Sequence, residues 1–279
     1  MKKKVWLITG CSTGFGRAIA LTVLKSGARV GVGARKYEDV KDIISAFPET
    51  AIALKLDVTK EAEVNAAVAD LVDQFGAIDV LVNNAGIGYF GSIEESNEAE
   101  VRRMFEINFW GLSNVTREVL PYMRKQQAGH IINIASIGGL TSFPALGYYH
   151  ATKYAVDGFS EALFKEVTPL GIKVTIVAPG AFRTDWAGRS ANEAPANIAD
   201  YAATAGATMQ WIRSINGTQP GDPDRAAEAI LKVTETSKPP LRLLLGQDAV
   251  DAAYEKLELL KNDFDTWKAT SLDVNYGSR

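Results

Sequence analysis

Ser136, Tyr149 and Lys153 are the residues of this chain whose types and spacing can do chemistry together. Tyr149 precedes Lys153 by four positions in Y-Y-H-A-T-K, so on a helix both project from one face. A phenol titrates near ~10 and is a poor acid–base group at neutral pH. A lysine ammonium roughly 4 Å away stabilises the phenolate by up to about 4 kcal/mol at an effective dielectric near 20, or about three pKa units. Ser136, thirteen residues before the tyrosine in I-N-I-A-S-I-G-G, arrives from an apolar strand and can hold a carbonyl or alcohol oxygen beside that phenol. Together the three side chains can move a proton to or from a substrate oxygen. Tyr148 is turned about 100° away from the lysine on an ideal helix, so catalysis is assigned to Tyr149, and Tyr148 becomes a pocket or interface aromatic. Adjacent helical side chains do not face each other, so His150 is expected at the surface or an interface.

The elements that must position these groups alternate along the chain. Apolar runs at 4–8, 29–34, 51–57, 77–82, 130–135, 173–178 and 241–245 read as strands. Helical periodicity fills 61–75, a long stretch at 98–127, 150–168 and 222–236, and an amphipathic C-terminal helix spans 250–268. Such alternation predicts an α/β fold, one Rossmann-type doubly wound parallel sheet over residues 1–279 with helices on both faces. Strand order 3-2-1-4-5-6 places a nucleotide at the reversal between strands 1 and 4.

The first strand runs into Thr9-Gly10-Cys11-Ser12-Thr13-Gly14-Phe15-Gly16 and then into R-A-I-A-L-T-V-L-K, a helical pattern. Gly10 permits the tight turn, Gly14 lets backbone N–H groups approach a pyrophosphate, and Gly16 lets the helix pack closely on the strand. A glycine trio between an N-terminal strand and a helix is the context a dinucleotide-binding turn requires.

The glycine loop and the Ser-Tyr-Lys set together resemble the classical short-chain dehydrogenase/reductase family, in particular its hydroxysteroid-dehydrogenase-like, NADP-preferring members. Asn83-Asn84-Ala85-Gly86, Asn108 in F-E-I-N-F-W-G, Asp57-Val58, and Pro179-Gly180 before Thr184 appear in the family's order. The resemblance covers roughly residues 4–185 closely. It implies a seventh strand, so the expected order is 3-2-1-4-5-6-7. It also implies that Asp57 and Val58 flank an adenine, and that Asn84, Ala85 and Gly86 pack against the cofactor. Thr184 and the backbone near Phe182 would fix the nicotinamide carboxamide. Lys153 would hold the nicotinamide ribose hydroxyls. Asn108 would open a helix kink and hold a water that relays protons to the lysine.

Cofactor choice is read at the end of the second strand. Enzymes for the unphosphorylated dinucleotide carry an acid there, which bonds the ribose 2′-hydroxyl. Here Ala34 removes the repulsion of a 2′-phosphate and Arg35 can make a charge-assisted contact, so NADP(H) is expected over NAD(H). Ser12 or Thr13 can also touch that phosphate. The expected reaction interconverts a carbonyl and a secondary alcohol. Tyr89, Phe90, Leu140, Phe143, Leu146, Trp186, Met209 and Trp211 fall in the three segments that could face the substrate, suggesting an apolar or aromatic one. Residues 186–221, rich in Ala, Asn and Gly and poor in strand signal, read as a lid. The alternative is an NADP-binding sensor protein without turnover.

Bulk properties narrow the class further. The chain has 279 residues, 47% of them hydrophobic, enough for one large core. A net charge of −3 offers no basic field for nucleic acid. One cysteine, Cys11, excludes an intramolecular disulfide framework and reads as a buried thiol. Two histidines, His130 and His150, make no metal site. Lys2-Lys3-Lys4 resembles the start of a signal peptide, but the apolar stretch after it is broken within a few residues, so neither leader nor membrane span is expected and a cytoplasmic location follows by default. The two long helices, 98–127 and 150–168, are where family members assemble, so a homodimer or homotetramer is expected.

Overall fold

The computed structural model describes residues 3–188 and 191–276. Seven parallel strands form its central sheet: β1 Val5–Ile8, β2 Arg29–Ala34, β3 Ala51–Lys55, β4 Val80–Asn83, β5 Gly129–Ile134, β6 Ile172–Pro179 and β7 Arg242–Leu245. Their order is β3-β2-β1-β4-β5-β6-β7, as expected, so the chain reverses direction of growth between β1 and β4. Two short strands, Gly88–Phe90 and Ala191–Glu193, pair separately above the sheet's carboxyl edge. The second lies in the 186–221 segment, where no strand was expected. Arg189 and Ser190 of that segment lie outside the described residues, as does Lys2.

Both faces of the sheet are apolar because helices cover both. Within β1, Trp6 and Ile8 enter one core cluster and Val5 and Leu7 the other, following the two-residue alternation of a strand. On the first face lie α1 (Gly14–Lys25), α2 (Lys41–Ala46) and α8 (Pro223–Glu235). Ala18, Ile19 and Val23 of α1 share a cluster there with Ala226, Ala227 and Ile230 of α8. The second face is covered by α3 (Glu61–Phe75), α5 (Leu112–Gln126) and α6 (Gly147–Val167).

The stretch expected as one helix over 98–127 is α4 (Glu98–Phe105), a π-helical turn at Glu106–Gly111, and α5. Asn108 sits in the π turn. Its carboxamide bonds both backbone groups of Ile87, accepting from Ile87 N at 2.8 Å and donating to Ile87 O at 2.9 Å. These bonds supply a local reason for the widened ladder at that point, since such bulges occur where a side chain serves a site rather than the helix. Residues 207–214 form α7, and Gln247–Leu272 form α9. Only Ala249 and Ala253 of α9 are buried, against the β7 edge and Ile137. Beyond them Leu257, Phe264 and Trp267 are exposed. Arg242 of β7 ties the sheet edge to α6 through Asp157 and through Glu161, the latter at 2.6 Å. No helix of the described residues is long and apolar enough to cross a membrane, and those residues hold no cluster of groups that could bind a metal.

Candidate active site

A cleft of about 1140 Å³ runs along the carboxyl ends of the strands at the point where the strand order reverses. Its floor at one end is the glycine turn. Gly10 and Gly14 have φ of +71° and +56°, which a side chain would strain. Gly16 is required for a different reason: a Cβ there would come 2.3 Å from Gly10 O and 2.4 Å from Asn84 Nδ2. Asn84 closes this corner by donating to Thr9 O at 2.9 Å and Gly10 O at 3.1 Å. Thr9 Oγ1 accepts in return from the N–H groups of Asn84 and Ala85. Thr9 therefore joins β1 to β4; sequence reading quoted it only as part of the loop.

The turn fits a pyrophosphate on grounds visible in the chain itself. Helix α1 has no acidic residue in its first turn, and the Thr13 side chain does not cap it. The N–H groups and positive dipole end of α1 therefore face the cleft among Ser12, Thr13, Gly14 and Phe15. Phe15 and Phe182 pack with ring centroids 5.0 Å apart, bringing the loop after β6 over the turn. Thr184 abuts Gly14, and its Oγ1 accepts from Trp186 N at the start of a 3₁₀ turn. Arg35, Asp57 and Val58 line the far end of the cleft, with Arg35 exposed just past Ala34. Asp57 Oδ1 accepts from Thr59 N and Oγ1, and Val58 is buried against Gly111.

Ser136, Tyr149 and Lys153 meet at the other end. Ser136 follows β5 and caps a 3₁₀ turn, its Oγ accepting from Gly138 N at 3.0 Å. Tyr149 and Lys153 stand one turn apart on α6, both buried and both lining the cleft with Ser136. Lys153 Nζ donates to Ile134 O at 2.9 Å and lies 5.7 Å from the centre of the Tyr149 ring. Burial draws the Lys153 pKa down to about 8. Burial also pushes the Tyr149 phenol up to about 12, against a hydrogen bond with Ser136 that pulls it down. The net direction is upward, because desolvating the phenolate outweighs the hydrogen bond from Ser136.

Other residues depart from expectation as well. His150, expected at a surface or interface, is 2% exposed and lines the cleft. Helix α6 begins under the turn made by Ile137–Gly139, so a residue one position from Tyr149 is roofed by that turn instead of meeting solvent. Of the candidate pocket side chains, Phe143, Leu146, Trp186 and Trp211 line the cleft. Tyr89, Phe90 and Met209 belong to the core beneath it, and Leu140 packs towards α9. Cys11 is buried, its thiol pushed up to about 12 by burial, as a structural cysteine should be.

Sequence reading missed Asp248. This first-turn residue of α9 accepts a hydrogen bond from Ala181 N at 2.6 Å and lies where a Cβ on Gly180 would go, at 2.2 Å. Its only trace in sequence is the glycine at position 180, which makes room for a carboxylate 68 positions away.

Comparison with known proteins places this architecture. The family described as short chain dehydrogenase matches residues 4–195. Oxidoreductase BOA17 of Botryotinia fuckeliana is 39% identical over 270 residues, covering 96% of this chain and 98% of its own. A 3-ketodihydrosphingosine reductase of Bacteroides thetaiotaomicron is 38% identical over 250 residues, covering 88% and 89%. The crystal structure of a short-chain dehydrogenase from Streptomyces avermitilis superposes with a TM-score of 0.92 at 42% identity, covering 99% of this chain and 100% of that one. Dinucleotides of both kinds occur among more distant structures. ElxO holds NADP (31% identity, TM-score 0.72, coverage 88% and 96%), and a Brucella melitensis 3-ketoacyl-(acyl-carrier-protein) reductase holds NADH (29%, 0.71, 88% and 98%). The chain belongs to the short-chain dehydrogenase/reductase family and is an oxidoreductase.

Proposed function

We propose that this oxidoreductase interconverts a carbonyl and a secondary alcohol, with NADP(H) as its dinucleotide and Tyr149 as the acid–base group. The observation that carries the reading is the meeting of Ser136, Tyr149 and Lys153 on one buried wall of a cleft whose other end is the glycine turn. When bound, the nicotinamide dinucleotide supplies or accepts the hydride. Its pyrophosphate would rest on the Ser12–Phe15 turn. Asp57 and Val58 would flank the adenine, and Asn84, Ala85 and Gly86 would pack along its middle. Pro179, Gly180, Phe182 and Thr184 would hold the carboxamide end. Ala34 leaves room for a 2′-phosphate and Arg35 supplies its positive partner, which favours NADP(H) over NAD(H).

Ser136 Oγ donates a hydrogen bond to the substrate oxygen and orients it. Tyr149 is protonated at neutral pH and so carries the proton for the oxygen of a carbonyl accepting hydride; its raised pKa makes it a weak acid until a neighbouring positive charge stabilises the phenolate. The Lys153 ammonium lies near enough to stabilise the phenolate left behind. Asn108, clamped to Ile87 and donating to Thr152 Oγ1 at 3.2 Å, keeps the π turn open beneath the lysine, where a relay water would sit. Phe143, Leu146, Trp186 and Trp211 give the substrate end apolar walls, consistent with an apolar or aromatic ketone. Residues 186–221 would close over it as a lid. Exposed Trp110 in the π turn between α4 and α5, and exposed Tyr154 on α6, support assembly of a homodimer or homotetramer through that surface.

The test is NADPH consumption against a panel of apolar and aromatic ketones, with Tyr149→Phe alongside. Turnover should fall by about 10²–10⁴-fold in the variant while NADPH binding survives. Full activity in the variant would remove the tyrosine from the mechanism. Tight NADPH binding with no turnover of any ketone would favour the sensor reading.

A further inference from the structure

His150 is buried, lines the cleft beside Tyr149, and has no part in the scheme above. Its Nδ1 accepts a hydrogen bond from Phe143 N at 3.2 Å. A backbone N–H can only donate, so Nδ1 is the unprotonated nitrogen and the neutral ring carries its proton on Nε2. Burial lowers the ring's pKa to about 4, so this tautomer is the form present at neutral pH. The ring is further held by an edge contact with Phe143, centroids 5.6 Å apart.

Nε2 lies on the Gly138 side of the ring. A Cβ built on Gly138 would stand 3.0 Å from His150 Nε2 and 3.3 Å from Ser136 Oγ, so the two polar atoms flank the same short piece of backbone. Yet Nε2 donates to no described residue. Nε2 is not among the solvent-excluded atoms left without a partner, so it opens on the cleft, where a ligand oxygen that displaces solvent must take over its hydrogen bond. The fold therefore presents, next to the serine that holds the reacting oxygen, a fixed donor whose partner the chain does not provide.

Resting on the carbonyl–alcohol reading, we infer that His150 is a specificity-determining residue, whose Nε2–H donates to a second acceptor oxygen of the substrate close to the reacting carbonyl. A hydrophobic wall alone cannot discriminate strongly between ketones of similar size, whereas a buried donor rejects the ketone that leaves it unpaired. Substrates with an oxygen function two carbons from the carbonyl would span from Ser136 to His150.

The experiment compares kcat/KM for a 3-keto ester and for an alkyl ketone of equal length, with NADPH, in the wild type, His150→Phe and His150→Gln. Quenching of tryptophan fluorescence by NADPH checks that each variant retains an assembled cleft. The wild type should prefer the keto ester, and His150→Phe should cut that preference by about tenfold. His150→Gln, which keeps a donor on a similar reach, should restore part of it. If His150→Phe does not fold, His150→Ala carries the same comparison without added bulk. A preference unchanged by loss of the ring, with both ketones still reduced, would overturn the role of His150 and leave the reductase reading standing. No turnover of either ketone by the wild type would remove both.

Discussion

The two ends of the cleft are built in different ways. The dinucleotide end is made of backbone: the turn from Gly10 to Gly16, the ends of β1 and β4, and the amide clamp of Asn84. The substrate end is made of side chains that arrive from four distant segments, with Phe143 after β5, His150 on α6, Trp186 after β6 and Trp211 on α7. Backbone that must approach backbone tolerates almost no substitution. A wall of side chains can be rebuilt residue by residue. The first end is therefore suited to a constant ligand and the second to a variable one.

Gly16→Ala is the most severe way to test that contrast. Its Cβ would meet the Gly10 carbonyl and the Asn84 amide, neither of which can withdraw without opening the β1–β4 corner. We expect a loss of about 1–3 kcal/mol in stability, read as a lower denaturation midpoint, together with weakened dinucleotide binding. At the substrate end, Trp211→Ala trims a wall side chain that is 57% exposed and should leave the denaturation midpoint nearly unchanged. Equal losses in the two variants would break the comparison.

Arg35→Ala asks whether the dinucleotide end also contains a side-chain determinant. The apparent KM for NADPH should rise about tenfold or more while that for NADH changes little, since only one carries the phosphate. An equal effect on both would return Arg35 to the role of a solvated surface residue.

The smallest effect concerns acid. His130 on β5 is buried far from the cleft, where Nε2 donates to Thr175 Oγ1 at 3.0 Å and Nδ1 has no partner among the described residues. Burial first, then the charges of Lys173 and Lys4, hold its pKa down near 3, against 6.5 for an ordinary histidine. The unfolded chain therefore binds the extra proton first. The stability contributed by a neutral His130 is complete above about pH 6.5 and is lost as pH falls from there towards 3. Denaturant unfolding across that range should show a shallower acid loss in His130→Gln than in the wild type. Parallel slopes would mean that carboxylates govern the acid limb.

The same contrast explains what could be read without coordinates. The strands and the glycine turn were legible because each is a local pattern: apolar runs between helices, and glycine where φ is positive or Cβ has no room; the strand order came instead from the fold and family the chain resembles. The spacing of Tyr149 and Lys153 was legible because it is one helical turn. The burial of His150 was not, since the roof over it comes from Ile137–Gly139 and helical phase says nothing about what lies above a helix. Asp248 was hidden for the same reason, because its partner is Ala181. The net direction of the Tyr149 pKa also escaped, because spacing reveals a neighbouring charge but not the loss of water. The short Ala191–Glu193 strand has no apolar alternation and exists through pairing with Gly88–Phe90.

The packing of α8 on α1 has a consequence for synthesis. Ala18, Ile19 and Val23 leave the ribosome well before α8, and the apolar residues that complete their cluster, Ala226, Ala227 and Ile230, come some two hundred positions later. Contacts so remote in sequence are slow to form. A nascent chain stalled before α8 would present the outer surface of α1 and the edge of β6 to water, a sticky intermediate of the kind that chaperones retain. Helix α8 is thus a condition for the β1–α1 unit to bury its outer face.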